Sequence, residues 1–318
     1  MKTTEARQNL RGSTRLLYDE LIVQQAHPFI IDVSTSLIEY TDQQGVTRLL
    51  FSTCSEKSSA IGLSIAGSKA RTALVADHLA ISTPPSIICS SIRDARKFLA
   101  THRMIVTKPL GNDGGSGVST NIKTKEELRR AYDYAKEYGK RVIAQQHIIG
   151  ADVRLLTVGG TFSSAVIREP ASVTGDGTST IEQLIIDANN SSPRNDSAFM
   201  SILPIKMQAA RRFLDTALQD IPALGQKIRT TGPANVSLGG SLREATHLVT
   251  PAMIADAEKI SQKLGLGICG VDMMWDQEAN RHYLIEINAT PGIDIHNDPF
   301  SDTKSDCVQQ YVRWLVAA

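Results

Sequence analysis

The spacing of apolar positions changes several times along this chain, and each change marks an element. Residues 16–26 (LLYDELIVQQA) carry apolar side chains at helical spacing. The segments HPFIIDVSTSLIEYT and GVTRLLFST that follow predict strands around a turn at Asp42–Gly45. A helix is predicted from Lys69 to Leu79 and closed by STPPS at 82–86, where two prolines cannot continue it. SIRDARKFLATH (91–102) predicts another short helix.

MIVTKPL (104–110) reads as a strand that opens into GNDGGSGV. Thr124 then offers its hydroxyl as an N-cap, and Glu127 three residues later completes a capping box. Leu128, Ala131, Ala135 and Tyr138 follow at helical spacing, with Gly139 as the stop. RVIAQQHI (141–148), VRLLTV (153–158) and FSSAVIRE (162–169) read as strands, the last two joined by a hairpin turn at Gly159–Gly160. Helices are expected over 181–189 and 205–221, with SSPRNDS between them as a mobile loop. Thr250 and Pro251 open a helix whose Met253, Ala257, Ile260 and Leu264 share a face, and Gly265 ends it. GVDMMW (270–275) and YLIEINAT (283–290) are the last two predicted strands. This irregular alternation favours an α+β (mixed α/β) design with more than one sheet over a strict βα barrel.

Composition narrows the functional classes. The 318 residues suffice for one to three packed units, and 34 Lys and Arg against 33 Asp and Glu leave a net charge of +1. That balance argues against nucleic acid or a membrane surface as the main partner. Cys54, Cys89, Cys269 and Cys307 show neither CxxC nor close Cys/His spacing, so reduced thiols are expected. No run of ~18 apolar residues and no secretory signal pattern is present, so cytoplasmic residence is the expectation.

Two segments carry candidate chemistry. In Lys108-Pro109-Leu110-Gly111-Asn112-Asp113-Gly114-Gly115-Ser116-Gly117 a strand ends in a lysine, and a glycine-dense loop follows. Such a loop can wrap an anion with its N–H groups, because no Cβ intervenes. A plain flexible loop would share this composition, and no Walker GK[ST] follows. Glu286 and Asn288 lie two apart on one strand face, with Ile285 and Ile287 expected on the other. If Asp272 is on the adjacent strand, three hard oxygen ligands converge in a set suited to Mg²⁺. An ordinary half-exposed hairpin would read the same way. Together the two segments suggest a nucleoside triphosphate held between two lobes. Arg154, Arg168, His296 and the Gly175-Asp176-Gly177 turn are weaker candidates for contact with phosphate or substrate.

These residues make the chain resemble the ATP-grasp superfamily of carboxylate–amine ligases, in particular the ATP-grasp portions of cyanophycin synthetases and bifunctional glutathione synthetases. The likeness rests on ALVADHLAISTPPS, IVTKPLGNDGGSGV, QQHIIGADVRLLTVGG, REPASVTGDGTSTIEQLI, NVSLGGSLREATHLVTP, GVDMMW and IEINATPGIDIH, in that order over residues 46–300. It implies ATP between two α+β lobes beside a small N-terminal unit, with boundaries at 1–66, 67–145 and 146–318. Lys69 and Lys108 match phosphate-binding lysines, and Gly111, Gly114, Gly115, Ser116 and Gly117 match the loop over the phosphates. Gln145, Gln146 and Ile148 match the adenine-binding hinge, and Asp152 matches the ribose-holding acid. Asp272, Glu286 and Asn288 match the magnesium ligands, and Arg168, Lys108 and Arg154 the groups acting on phosphate or acyl phosphate. Asn235, Ser237, Thr290, Gly292 and His296 match substrate-side positions.

Two positions depart from the pattern. Gln145 replaces a glutamate, although its amide oxygen can still accept from the adenine amino group. Gly270 lies where D-alanine–D-alanine ligase-like members place an oxyanion-stabilising arginine, a charge that Arg168 would have to supply. The resemblance implies an ATP- and Mg²⁺-dependent ligase that joins small amino-acid or peptide substrates through an acyl phosphate, releasing ADP and phosphate. It implies a free-standing catalytic unit and is compatible with a homodimer. A non-catalytic ATP-binding regulatory module is the alternative. An NAD-dependent oxidoreductase is disfavoured, because no early GxGxxG is present.

Overall fold

The computed structural model describes residues 3–10, 12–111, 116–191, 203–297 and 305–317. Most of the glycine-dense segment (112–115) and most of SSPRNDS, which was expected to be mobile, lie outside the described residues.

Helices α1 (Thr3–Gln8) and α2 (Gly12–Val23) precede an antiparallel meander of β1 (Phe29–Asp32), β2 (Leu37–Thr41), β3 (Thr47–Phe51) and β4 (Cys54–Ser55). The expected turn forms because the Asp42 carboxylate accepts from the backbone of Gln44 and Val46 and from Arg48 Nε.

Next come α3 (Ala60–Ala66), α4 (Lys69–His78), β5 (Ser86–Cys89), α5 (Ile92–His102), β6 (Ile105–Pro109), β7 (Ser119–Ile122), α6 (Lys125–Tyr138) and β8 (Val142–Gln146). The strands form an antiparallel sheet in the order β5-β8-β6-β7. Ile105, Val142 and Ala144 face a core that α5 and α6 complete with Phe98, Leu99, Leu128 and Ala135. Strand alternation therefore turns Val106, Lys108, Ile143 and Gln145 to the opposite side. The Thr124–Glu127 capping box opens α6 as the sequence predicts.

The remaining chain supplies β9 (Ala151–Val158), β10 (Thr161–Glu169), β11 (Ser172–Thr174), α7 (Ile181–Asn190), α8 (Met207–Leu214), β12 (Lys227–Arg229), β13 (Ser241–Glu244), α9 (Pro251–Leu264), β14 (Ile268–Asp276), β15 (Arg281–Asn288) and α10 (Cys307–Val316). The five-stranded antiparallel sheet runs β13-β10-β9-β14-β15. On one face Val153, Leu155, Val271, Met273 and Ile287 pack under α9, with α3 and α4 alongside. The other face is divided. Its Leu156, Val158 and Ile268 are sealed by α2 and α10, while the opposite end carries Asp152, Arg154 and Asp272. A smaller layer of α7, α8 and the β11–β12 pair has its own core around Val173, Ile185 and Ile205.

Two expectations change. The helix read over 205–221 breaks at Asp215, which takes a φ of 53°, and continues only as a 3-10 turn over Asp215–Gln219. The C-terminal helix α10, which the sequence reading did not predict, is buried through Tyr311, Val312 and Leu315.

Candidate functional site

The open sides of the five-stranded sheet and of the β5-β8-β6-β7 sheet face each other across a cleft of about 1410 Å³. Its described lining holds eight Lys and Arg against four Asp and Glu, although the whole chain is nearly neutral. Excess positive charge is thus concentrated where an anion would be enclosed.

Lys69 opens α4 after the Ser68 N-cap and reaches Glu286 at 3.5 Å. Lys108, 8% exposed, donates to Gln145 Oε1 at 2.9 Å across the β6–β8 pair. Burial, together with the nearby Lys69 and against the pull of Glu286, brings the Lys108 ammonium down to about 8. A lysine only donates, so the Gln145 amide must turn its oxygen to Lys108. The acceptor that was expected to meet an adenine amino group is therefore engaged by this lysine. Gln146 and Ile148 line the cleft just beyond.

The five-stranded sheet places a row of charged groups on the opposite wall. Arg154 is paired with Asp272, and Asp272 with Glu286, in neighbouring strands. Asp272, 5% exposed, accepts from Arg154 Nε and Nη2 at 2.6 and 2.7 Å and from Arg168 Nη2 at 3.0 Å. Arg168 also donates to Asp152 Oδ1 through Nη2 at 2.6 Å and Nε at 3.0 Å. Burial alone would raise the Asp272 carboxyl, but the two guanidinium groups outweigh it and hold the group down at about 2. Burial pushes the Asp152 carboxyl up, with Arg168 opposing and Asp272 adding to the rise.

Arg154 runs alongside Gly270. A Cβ there would stand 3.4 Å from Arg154 Cδ and Nε and 3.0 Å from Pro291 Cβ. Arg154, reaching over from β9, is thus the arginine that lies against the position where the sequence lacks one.

A bulge in β15 corrects the expected alternation. Asp272 pairs with Glu286 but Met273 pairs with Leu284, so Ile285 is the extra residue. Leu284 and Ile287 are buried in the core beneath the cleft, whereas Ile285 stays out of that core and is only partly buried. Asn288 Oδ1 accepts from the Thr290 backbone at 3.0 Å. Two carboxylates and an amide oxygen on adjacent strands form a hard donor set compatible with Mg²⁺. Among the described residues no group of three or more His, Cys, Asp or Glu could hold a metal, so such a site depends on the amide.

Gly111, Asn235, Ser237 and Thr290 also line the cleft. Gly114 and Gly115 lie outside the described residues; Gly117, with a φ of 76°, packs against Pro109 and Tyr138. Gly292 and His296 are not among the lining residues. Gly292 sits beside Asp294, and His296 is buried with Nδ1 3.0 Å from Ser164 Oγ. Burial, with Arg154 nearby, pushes the His296 imidazole down to about 3, so it is neutral. Arg141, Glu169 and Arg229 line the cleft although the sequence reading did not single them out, because no local spacing marks them.

The chain is similar in sequence and in fold to several known proteins. Residues 72–181 match the model of the prokaryotic glutathione synthetase ATP-grasp domain. A cyanophycin synthetase of Trichormus variabilis is 27% identical over 258 residues, covering 78% of this chain and 29% of its own. A glutathione biosynthesis bifunctional protein of Clostridium perfringens is 30% identical over 308 residues, covering 92% of this chain and 39% of its own. The crystal structure of a bifunctional glutathione synthetase from Pasteurella multocida superposes with a TM-score of 0.68 at 21% identity, covering 96% of this chain and 43% of that one. The chain thus spans 29% and 39% of the length of these two curated relatives. By sequence and by fold it is related to the ATP-grasp superfamily. Within that superfamily it is related to the ATP-grasp portions of cyanophycin synthetase and of bifunctional glutathione synthetase.

Proposed function

We propose that this chain is an ADP-forming carbon–nitrogen ligase that joins two small amino-acid-like or peptide substrates at the expense of ATP. The observation that carries this reading is the cleft, where Lys69 and Lys108 stand opposite Asp272, Glu286 and Asn288. In the first step a substrate carboxylate oxygen attacks the γ-phosphorus, and the bond to the β–γ bridging oxygen breaks to release ADP. In the second, an amine attacks the acyl carbon, phosphate leaves with its oxygen, and the amine loses a proton.

The chain's own groups act by charge and position. Lys69 and Lys108 neutralise phosphate oxygens, and Gly111 lines the cleft beside them. Arg154 and Arg168 face the transferred phosphoryl group, while Asn235, Ser237 and Thr290 orient the substrates. Asp272, Glu286 and Asn288 would hold Mg²⁺, which would supply positive charge against the phosphate oxygens. The hinge at Gln145–Ile148 supports the base, and Asp152 the ribose. Enclosure between the two sheets keeps water from the acyl phosphate. No protein nucleophile is needed.

ADP release driven by a pool of amino acids, with hydroxylamine added to trap an acyl phosphate as a hydroxamate, tests the reading. Amine-dependent ADP release with hydroxamate formation is expected. Nucleotide binding without any amine-dependent turnover would instead identify a regulatory module.

A further inference from the structure

Each acidic group on the cleft wall is already matched by a cation of the protein. Arg154 forks onto both oxygens of Asp272, and Arg168 spans Asp272 and Asp152. Lys69 faces Glu286. Asp152, Asp272 and Glu286 thus meet three cations, Glu169 faces Lys227 and Arg243, and Lys108, bonded to the neutral Gln145, adds a further positive charge. A divalent cation arriving alone would meet no net negative charge. To reach Asp272 it would have to break charge-assisted hydrogen bonds and leave guanidinium groups buried beside it. A polyphosphate removes that obstacle, because its oxygens can accept from the same guanidinium and ammonium groups and so release the carboxylates.

We infer that Arg154 and Arg168 hold Asp272 against free divalent cations, so that cation and nucleotide bind this cleft only together. The inference rests on the nucleotide reading above and adds a rule for how the site loads. Arg154 is a positioning residue here: its fork fixes the Asp272 carboxylate, and the arrival of phosphate sets that carboxylate free. Because coupling between two ligands is reciprocal, the nucleotide raises the affinity for the cation by the factor that the cation raises the affinity for the nucleotide.

Mn²⁺, followed by the loss of its free-ion EPR signal, tests this on the whole chain. Without nucleotide, the unmodified protein is expected to bind no stoichiometric Mn²⁺ at roughly 1 mM. With a non-hydrolysable ATP analogue, binding should tighten by about 100-fold or more. Arg154→Met, which removes the fork and leaves Asp272 to Arg168 alone, should bind Mn²⁺ without nucleotide at least about tenfold more tightly than the unmodified protein. Arg154→Lys, which keeps the charge but loses the fork, should fall between them. Arg168→Gln gives the same direction and serves if Arg154→Met fails to fold by circular dichroism. Tight Mn²⁺ binding to the unmodified protein alone would overturn the inference, as would folded variants that gain no affinity. Should the analogue fail to bind while Arg154→Met still gains Mn²⁺, the nucleotide reading falls and the exclusion of free cations stands.

Discussion

Lys108 shows how one side chain can link binding and stability to pH with opposite signs. Its ammonium, facing Lys69 from α4, Glu286 from β15 and Gln145 from β8, is lowered from 10.5 to about 8 chiefly by burial. Between those values the unfolded chain holds the proton and the folded one does not, so this group adds stability as pH rises. The charge that would meet phosphate disappears over the same interval. Triphosphate affinity measured by calorimetry should therefore fall as pH rises through about 8, and Lys108→Met should be weak and flat across that range. Lys108→Ala and Asp272→Asn should each leave a folded protein with ligase turnover down at least about 100-fold in an ADP-release assay. Full turnover in either would contradict the assigned roles. The candidacy of Lys108 was legible from the glycine-rich turn behind it and that of Glu286 and Asn288 from their spacing of two on one strand, whereas Asp272 joined them only on the condition that its strand lay beside theirs. The partners of Asp272 were not legible, since Arg154 and Arg168 lie more than a hundred residues away in the chain.

At the scale of elements, close backbone approaches matter more than propensity. Gly150, between β8 and β9, has no room for a side chain: a Cβ would lie 2.3 Å from the Trp275 carbonyl oxygen. Gly150→Ala should cost about 2 kcal/mol in denaturant unfolding, because the obstacle is backbone and cannot rotate away. Thr124→Ala removes the hydroxyl that accepts from Glu127 N–H and should cost about 1 kcal/mol by the same measurement. Caps of this kind were readable from neighbouring residues, as were the turn at Asp42 and the stop at Gly265. The bulge at Ile285 was not, because its register is set by pairing with β14. Helix α10 was equally hidden: its burial comes from α2 and the sheet, not from any pattern of caps.

At the scale of the molecule, the small layer that carries α8 touches α6 away from the cleft. Arg212 of α8 stacks 3.9 Å over the Tyr134 ring of α6 and lies 3.9 Å from Glu137. An exposed contact of this kind contributes about 0.5–1 kcal/mol. Arg212→Ala, which frees the α8 layer from α6, should weaken nucleotide binding by about two- to fivefold, with Arg212→Lys in between, as read by calorimetry. No helix among the described residues is long and apolar enough to cross a membrane.

The sequence by itself determined most of the elements, the α+β class, and the lysines, carboxylates and amide that the ATP-grasp likeness brings together. It could do so because strand alternation, caps and glycine-rich turns are written in neighbouring residues. Only the tertiary structure decided which cation stands against which carboxylate. It also decided that Arg154 fills the space at Gly270, that Gln145 gives its oxygen to Lys108, and that His296 lies behind the wall. Those outcomes depend on strands from distant parts of the chain meeting in one register, and local spacing carries no record of that.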